Sequence, residues 1–227
     1  MNIFDIIGPV MIGPSSSHTA GAVRIGRVVN KLAMGRIPDR VEITLSGSFA
    51  ETYRGHGTDR ALLAGIMGYH SYSPEIRDAV AIAREKGMEF EFVCENIKGA
   101  HPNTARIRYF TGKDTESAKE EGVVLAASVG GGNIVVNEIN GLKVHFTGEY
   151  NTILVMHKDM PGVIASVTSL MHNEYEELNI ANFRLAREQK GGDAILTMEV
   201  DSLPPDTMIE DIKGLDHVTN AIMIRKL

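Results

Sequence analysis

The chain has 227 residues, 43% of them hydrophobic, with a net charge of −6 and a single cysteine, Cys94. That length suits one or two globular domains whose cores need no disulfide staples, and one thiol cannot by itself hold a structural zinc or an iron–sulfur cluster, which draw on several thiolates. Residues 1–10 lack the basic and long apolar segments of a signal peptide, and no stretch approaches the roughly 20 apolar residues of a membrane span. A cytoplasmic protein with no membrane partner is therefore expected. The acidic excess is concentrated after Tyr150, no part is basic, and Trp is absent, so nucleic acid is not an expected partner either.

Residues 6–11 form a short apolar run ended by Gly-Pro. Then comes Gly13-Pro14-Ser15-Ser16-Ser17-His18-Thr19-Ala20-Gly21, followed by an amphipathic pattern that predicts a helix over 19–34. Ala22, Ile25, Val28, Val29, Leu32 and Ala33 fall on one face. Arg24, Arg27 and Lys31 fall on another, either a solvated face or a docking surface for an acidic partner. A strand is expected over 40–45. The glycine-flanked loop Gly55-His56-Gly57 leads to Thr58, the expected cap of a helix over 59–67, and a third helix is expected over 78–86. Strands follow over 90–94, 105–110, 122–129, 133–136 and 142–146, with Gly130-Gly131-Gly132 between two of them. Helices followed by strands predict an α+β domain over 1–147.

After a short linker, 150–227 reads as a second domain. A strand over 152–157 is followed by the turn Asp159-Met160-Pro161-Gly162, a helix over 163–173, strands over 180–186 and 194–200, a helix over 205–213 and a strand over 218–225. That order is β-α-β-β-α-β, the ferredoxin-like unit.

Chemistry is expected first at Ser15, Ser16, Ser17, His18 and Thr19. Hydroxyls before a helix cap its free N–H groups, and those same N–H groups attract a carboxylate or phosphate. Four hydroxyls exceed what one cap needs, so a substrate-carboxylate site is favoured over a plain cap, with His18 moving a proton. A nucleophilic-serine reading is weaker, because no third orienting group lies nearby. His56, between glycines, is the second candidate; its plain reading is an exposed loop histidine. His101-Pro102-Asn103-Thr104 reads as a polar turn, and Gly130–Gly132 as a tight strand connection. At Asp159–Gly162, Gly162 would open the helix N-terminus to a ligand, and Asn179 begins the next strand.

Together, the SSSHTAG stretch and Gly55-His56-Gly57-Thr58-Asp59 resemble the β subunit of bacterial iron–sulfur-dependent L-serine dehydratases, with His101-Pro102-Asn103 and Gly130-Gly131-Gly132 falling where that family has similar motifs. The second part resembles an ACT domain. The resemblance implies an N-terminal α/β domain of the allosteric-substrate-binding type, followed by a ferredoxin-like ACT domain that pairs with itself and binds amino acids between partners. It implies conversion of L-serine to pyruvate and ammonia, with a [4Fe-4S] cluster as Lewis acid on the serine hydroxyl. This chain has one cysteine, so the cluster would be ligated by a cysteine-rich α subunit and no metal ligand is assigned here. His18 and His56 carry over as proton-transfer residues, and Ser15, Ser16, Ser17, Thr19 and Thr58 as substrate contacts. Asp159, Gly162 and Asn179 carry over as effector contacts. The alternative is a non-catalytic amino-acid-sensing regulatory protein.

Overall fold

A computed structural model describes residues 9–112 and 119–227. The expected apolar run over 6–11 lies partly outside the described residues. Contacts divide the chain into two compact units, Met1–Asn140 and Gly141–Leu227.

The first unit opens with a π-helical turn, Ser17–Gly21, that runs directly into α1 (Ala22–Leu32). The turn is closed by Gly21 N–H donating to Ser16 O at 3.0 Å, five residues back. Next come β1 (Arg40–Ser46), α2 (Ser48–His56), α3 (Thr58–Ile66), a 3-10 turn over Pro74–Asp78, and α4 (Ala79–Glu85). The sheet follows with β2 (Glu89–Cys94), β3 (Thr104–Thr111), β4 (Lys119–Gly130) and β5 (Asn133–Ile139). Within this unit the strand order is β2-β1-β3-β4-β5. β1 and β2 are parallel and the other pairs antiparallel, so the helices between β1 and β2 form the crossover that a parallel pair requires.

Alternation decides β1: Val41, Ile43 and Leu45 are fully buried, while Glu42 and Thr44 lie half exposed between them. α1 and α3 touch backbone to backbone. A Cβ added at Gly65 would lie 2.1 Å from Val23 O, and one at Gly26 would lie 2.4 Å from Leu62 O.

One element departs from the sequence reading. α2 occupies the stretch read as a loop around His56, and His56 is its last residue. Only Phe49 of α2 is buried, so there is no apolar stripe to reveal the helix. It is delimited instead by glycines in left-handed conformations, Gly47 at φ +59° and Gly57 at φ +73°. Thr58 correspondingly is the first residue of α3 rather than its cap; Gly57 takes the cap position.

The second unit begins with β6 (Leu142–Phe146), which packs against β8 and β9. It continues with β7 (Asn151–Lys158), α5 (Val163–Glu174), β8 (Ile180–Arg187), β9 (Asp193–Val200), α6 (Asp206–Lys213) and β10 (Val218–Ile224). The strand order β10-β7-β9-β8, antiparallel throughout, is the ferredoxin-like arrangement. Ile153, Val155, Leu196, Met198 and Val200 pack with Val167, Met171, Met208 and Ile212 from the two helices. β8 is an edge strand on which Phe183 and Leu185 are 46% and 42% exposed. Among the described residues, no helix is long and apolar enough to cross a membrane.

Candidate active site

Ser48, Thr52 and His56 recur every four residues, so they form one stripe along α2. That stripe faces His18 on the π-helical turn. The His18 Nε2 lies 3.1 Å from Thr52 Oγ1 and 3.4 Å from Ser48 Oγ. Its Nδ1 lies 3.3 Å from Ser15 Oγ, which also accepts from the His18 backbone N–H at 3.4 Å. Phe49 packs edge-on against the His18 ring at 5.2 Å between centroids, and the His56 ring stands at 4.8 Å. His18 is buried and His56 exposed. Burial pushes the His18 pKa below its ordinary value, and the neighbouring His56 pushes in the same direction; a hydrogen bond to the Ser48 backbone partly opposes both.

The two turns that the sequence reading took as plain connections pack against this arrangement. Pro102 O accepts from Phe49 N–H at 3.3 Å and sits so close to Gly47 that an added Cβ would lie 2.6 Å away. The start of α2 is thus set by the His101–Asn103 turn. Asn103 in turn joins β4: its carbonyl accepts from Ser128 N–H at 2.9 Å. Ser128 Oγ nests against Gly21, where an added Cβ would lie 2.1 Å from it. The glycine turn has positive φ at Gly130, Gly131 and Gly132, and an added Cβ at Gly132 would lie 3.3 Å from Ala20 Cβ. Arg24 Nη1 holds the turn by donating to Gly132 O at 2.7 Å. All four motifs therefore converge on the segment that carries His18.

The hydroxyl groups divide. Ser15, Ser16 and Ser17 are half-buried. Thr19 Oγ1 and Thr58 Oγ1 are buried and, among the described residues, have no hydrogen-bond partner; the same holds for Ser128 Oγ and Asn103 Oδ1. No side-chain cap bond forms at the Ser16 cap position; Ser15 Oγ, accepting from the His18 N–H three residues on, makes the cap-like bond of the loop. Ser48 and Thr52 are contacts that the sequence reading missed. Their four-residue spacing ahead of His56 is the signal that would have found them, once α2 was known to be a helix.

In the second unit, Asp159 accepts from Arg187 Nη1 at 2.7 Å and from Gly191 N–H at 3.1 Å, and those two bonds, the arginine first, hold its carboxyl below the usual range. Gly162 takes the cap position of α5 at φ +94°. Asn179 Nδ2 donates to Asp201 Oδ2 at 2.7 Å. Asp159 and Asn179 flank opposite ends of β9, so one chain does not bring them together.

Among the described residues, no three His, Cys, Asp or Glu side chains converge to hold a metal ion. Cys94, the sole cysteine, is exposed on β2 with Sγ 3.5 Å from Ala50 O. The donor set of this chain does not fit an iron–sulfur cluster, which needs several thiolates in one place.

The serine dehydratase beta chain family matches residues 2–89, the stretch that carries His18, Ser48, Thr52 and His56. A probable L-serine dehydratase beta chain of Bacillus subtilis is 40% identical over 223 residues, covering 98% of this chain and 97% of its own length. The L-serine dehydratase beta chain of Peptoniphilus asaccharolyticus is 36% identical over 219 residues, 96% of this chain and 95% of its own. A D-3-phosphoglycerate dehydrogenase of Synechocystis is 26% identical over 90% of this chain but only 35% of its own length; that likeness spans both units in a differently named enzyme and so bears on their architecture. With near-complete coverage in both directions and the paired histidines inside the matched region, the chain belongs to the L-serine dehydratase beta chains.

Proposed function

We propose that the chain is one subunit of a two-chain L-serine dehydratase, converts L-serine to pyruvate and ammonia only with its α partner, and is inactive alone. The observation that carries this reading is the contact of His18 with His56, beside a half-buried run of hydroxyls. Ser15, Ser16 and Ser17, with Thr19 and Thr58, hold the substrate carboxylate. The imidazoles of His18 and His56 take the Cα proton. The electron pair left on Cα forms the C=C bond as the β-hydroxyl departs, combining with a proton to leave as water and giving aminoacrylate; its imine tautomer then takes up water and releases ammonia and pyruvate. A [4Fe-4S] cluster belongs to the complex and is ligated by cysteines of the α subunit, a reading supported by the single, exposed cysteine of this chain. Anaerobic reconstitution with a cysteine-rich α chain tests this: serine-dependent pyruvate is expected from the pair and none from either chain. Full activity of this chain alone, or none from a cluster-loaded pair, would overturn it.

The second unit is assigned to the ACT type and to self-association through the β8 edge. Its exposed Phe183 and Leu185 support that choice. Antiparallel pairing of two β8 edges would set Asn179 of one copy near Asp159 and Gly162 of the other, giving an effector site that a single chain lacks.

A further inference from the structure

We propose that Thr52 is a positioning residue that fixes His18 in the tautomer with the proton on Nε2, leaving Nδ1 as the proton acceptor. A threonine hydroxyl has one hydrogen to give. Thr52 gives it to the Ser48 backbone carbonyl, one turn back on α2, at 2.7 Å. The Oγ1 can then meet His18 Nε2, 3.1 Å away, only with a lone pair. Nε2 must therefore be the donor. Ser48 Oγ, at 3.4 Å, adds a second and weaker acceptor on the same side.

The other ring nitrogen agrees. Ser15 Oγ accepts from the His18 backbone N–H, and its own hydrogen is free to point at Nδ1, 3.3 Å away. A neutral imidazole with Nε2–H satisfies every one of these bonds at once; the opposite tautomer leaves Nε2 and Thr52 Oγ1 facing each other with lone pairs only. The lone pair on Nδ1 points to the serine loop, and the hydroxyls on α2 lie behind the ring. Phe49 packs against the ring and restricts its rotation. The catalytic consequence rests on the proposed role of His18 in proton transfer. The tautomer rests on geometry alone.

Long-range proton–nitrogen correlation NMR on the full chain with labelled histidine reads the tautomer directly. Wild type at neutral pH is expected to show His18 with a protonated Nε2 and a bare Nδ1. Thr52→Val, which keeps the shape and removes the acceptor, should shift His18 toward the other tautomer, and Thr52→Ser should restore it. In the reconstituted enzyme Thr52→Val should lower kcat roughly tenfold, the worth of one neutral hydrogen bond, with KM unchanged and recovery in Thr52→Ser. A wild-type His18 protonated on Nδ1, or a tautomer indifferent to Thr52→Val, would overturn the proposal. If the tautomer behaves as expected but His18→Gln leaves reconstituted turnover intact, the proton-transfer role of His18 fails while the positioning of its ring stands.

Discussion

The imidazoles of His18 and His56 stand 4.8 Å apart between centroids with their planes at 67°. One is buried on a π-helical turn and the other is exposed at the end of α2. At this separation the neighbouring His56 adds to burial in pushing the His18 pKa below its ordinary value. Replacing either His18 or His56 with Gln should lower kcat of the reconstituted enzyme by about 10²–10⁴, the usual range for losing a general acid or base. The double variant should cost little more than the worse single one, because the rings act as a unit. Steady-state pyruvate formation checks both statements.

The same burial makes stability depend on pH. The folded-state pKa of His18 lies below that of the unfolded chain, so the unfolded state binds the proton first as pH falls. The His18 contribution is therefore fully present above about pH 6.5, the ordinary histidine value, and is lost as pH drops from there toward the folded pKa. Urea midpoints taken at pH 7.5 and 5.5 should fall with pH, and His18→Gln should flatten that dependence. His70, whose pKa is also lowered, first by burial and then by Arg27 and Lys31, contributes in the same direction and remains in the variant.

Gly26 and Gly65 allow α1 and α3 to meet through their backbones. Alanine at Gly26 would put its Cβ 2.4 Å from Leu62 O and 2.7 Å from Ile66 N, and neither atom can swing aside. Gly26→Ala or Gly65→Ala should destabilise by about 1–3 kcal/mol through overpacking, despite alanine's better helix propensity. Gly55 sits in α2 with nothing within 4 Å of an added Cβ, so Gly55→Ala should stabilise by about 0.5–1 kcal/mol. Denaturant midpoints of the three variants give opposite signs if the packing is as described.

Much of this was legible in the sequence. The β-α-β-β-α-β order of the second unit followed from short apolar runs separated by the turns at Asp159–Gly162 and Lys190–Asp193. The expectation of a site around His18 came from too many hydroxyls for one cap, and the structure surrounds that ring with Ser15, Ser48, Thr52 and His56. α2 was not legible, because its residues bury one apolar side chain and its start is set by a tertiary contact, Gly47 against Pro102. Missing α2 concealed Ser48 and Thr52 and turned His56 into a loop residue. The roles of the His101–Asn103 and Gly130–Gly132 turns were hidden for a related reason. Their contacts, Pro102 to Phe49 and Gly132 to Ala20, join residues far apart in the chain, and no local pattern records such a contact.

The β8 edge offers the last test. Phe183 lies on the helix side of the sheet, paired with buried Met198, yet is 46% exposed because no strand lies beyond it in its own sheet. An unpaired edge with apolar side chains is a template for another strand. If two copies join there by a twofold axis, each Phe183 is buried once by symmetry. Covering the exposed part of both rings contributes on the order of 2–3 kcal/mol in total. Phe183→Glu removes that contribution and sets two like charges near each other, so the dissociation constant of the dimer should rise by roughly a hundredfold or more. Light scattering across a dilution series should show a dimer in wild type and a monomer in Phe183→Glu at the same concentration. The variant's circular dichroism should be unchanged, because the substituted ring is outside the core formed by Ile153, Leu196 and Met208. A wild-type chain that is monomeric at all concentrations, or a variant that dimerises as tightly, would remove β8 as the pairing edge. The effector arrangement that depends on it, Asn179 of one copy facing Asp159 of the other, would go with it.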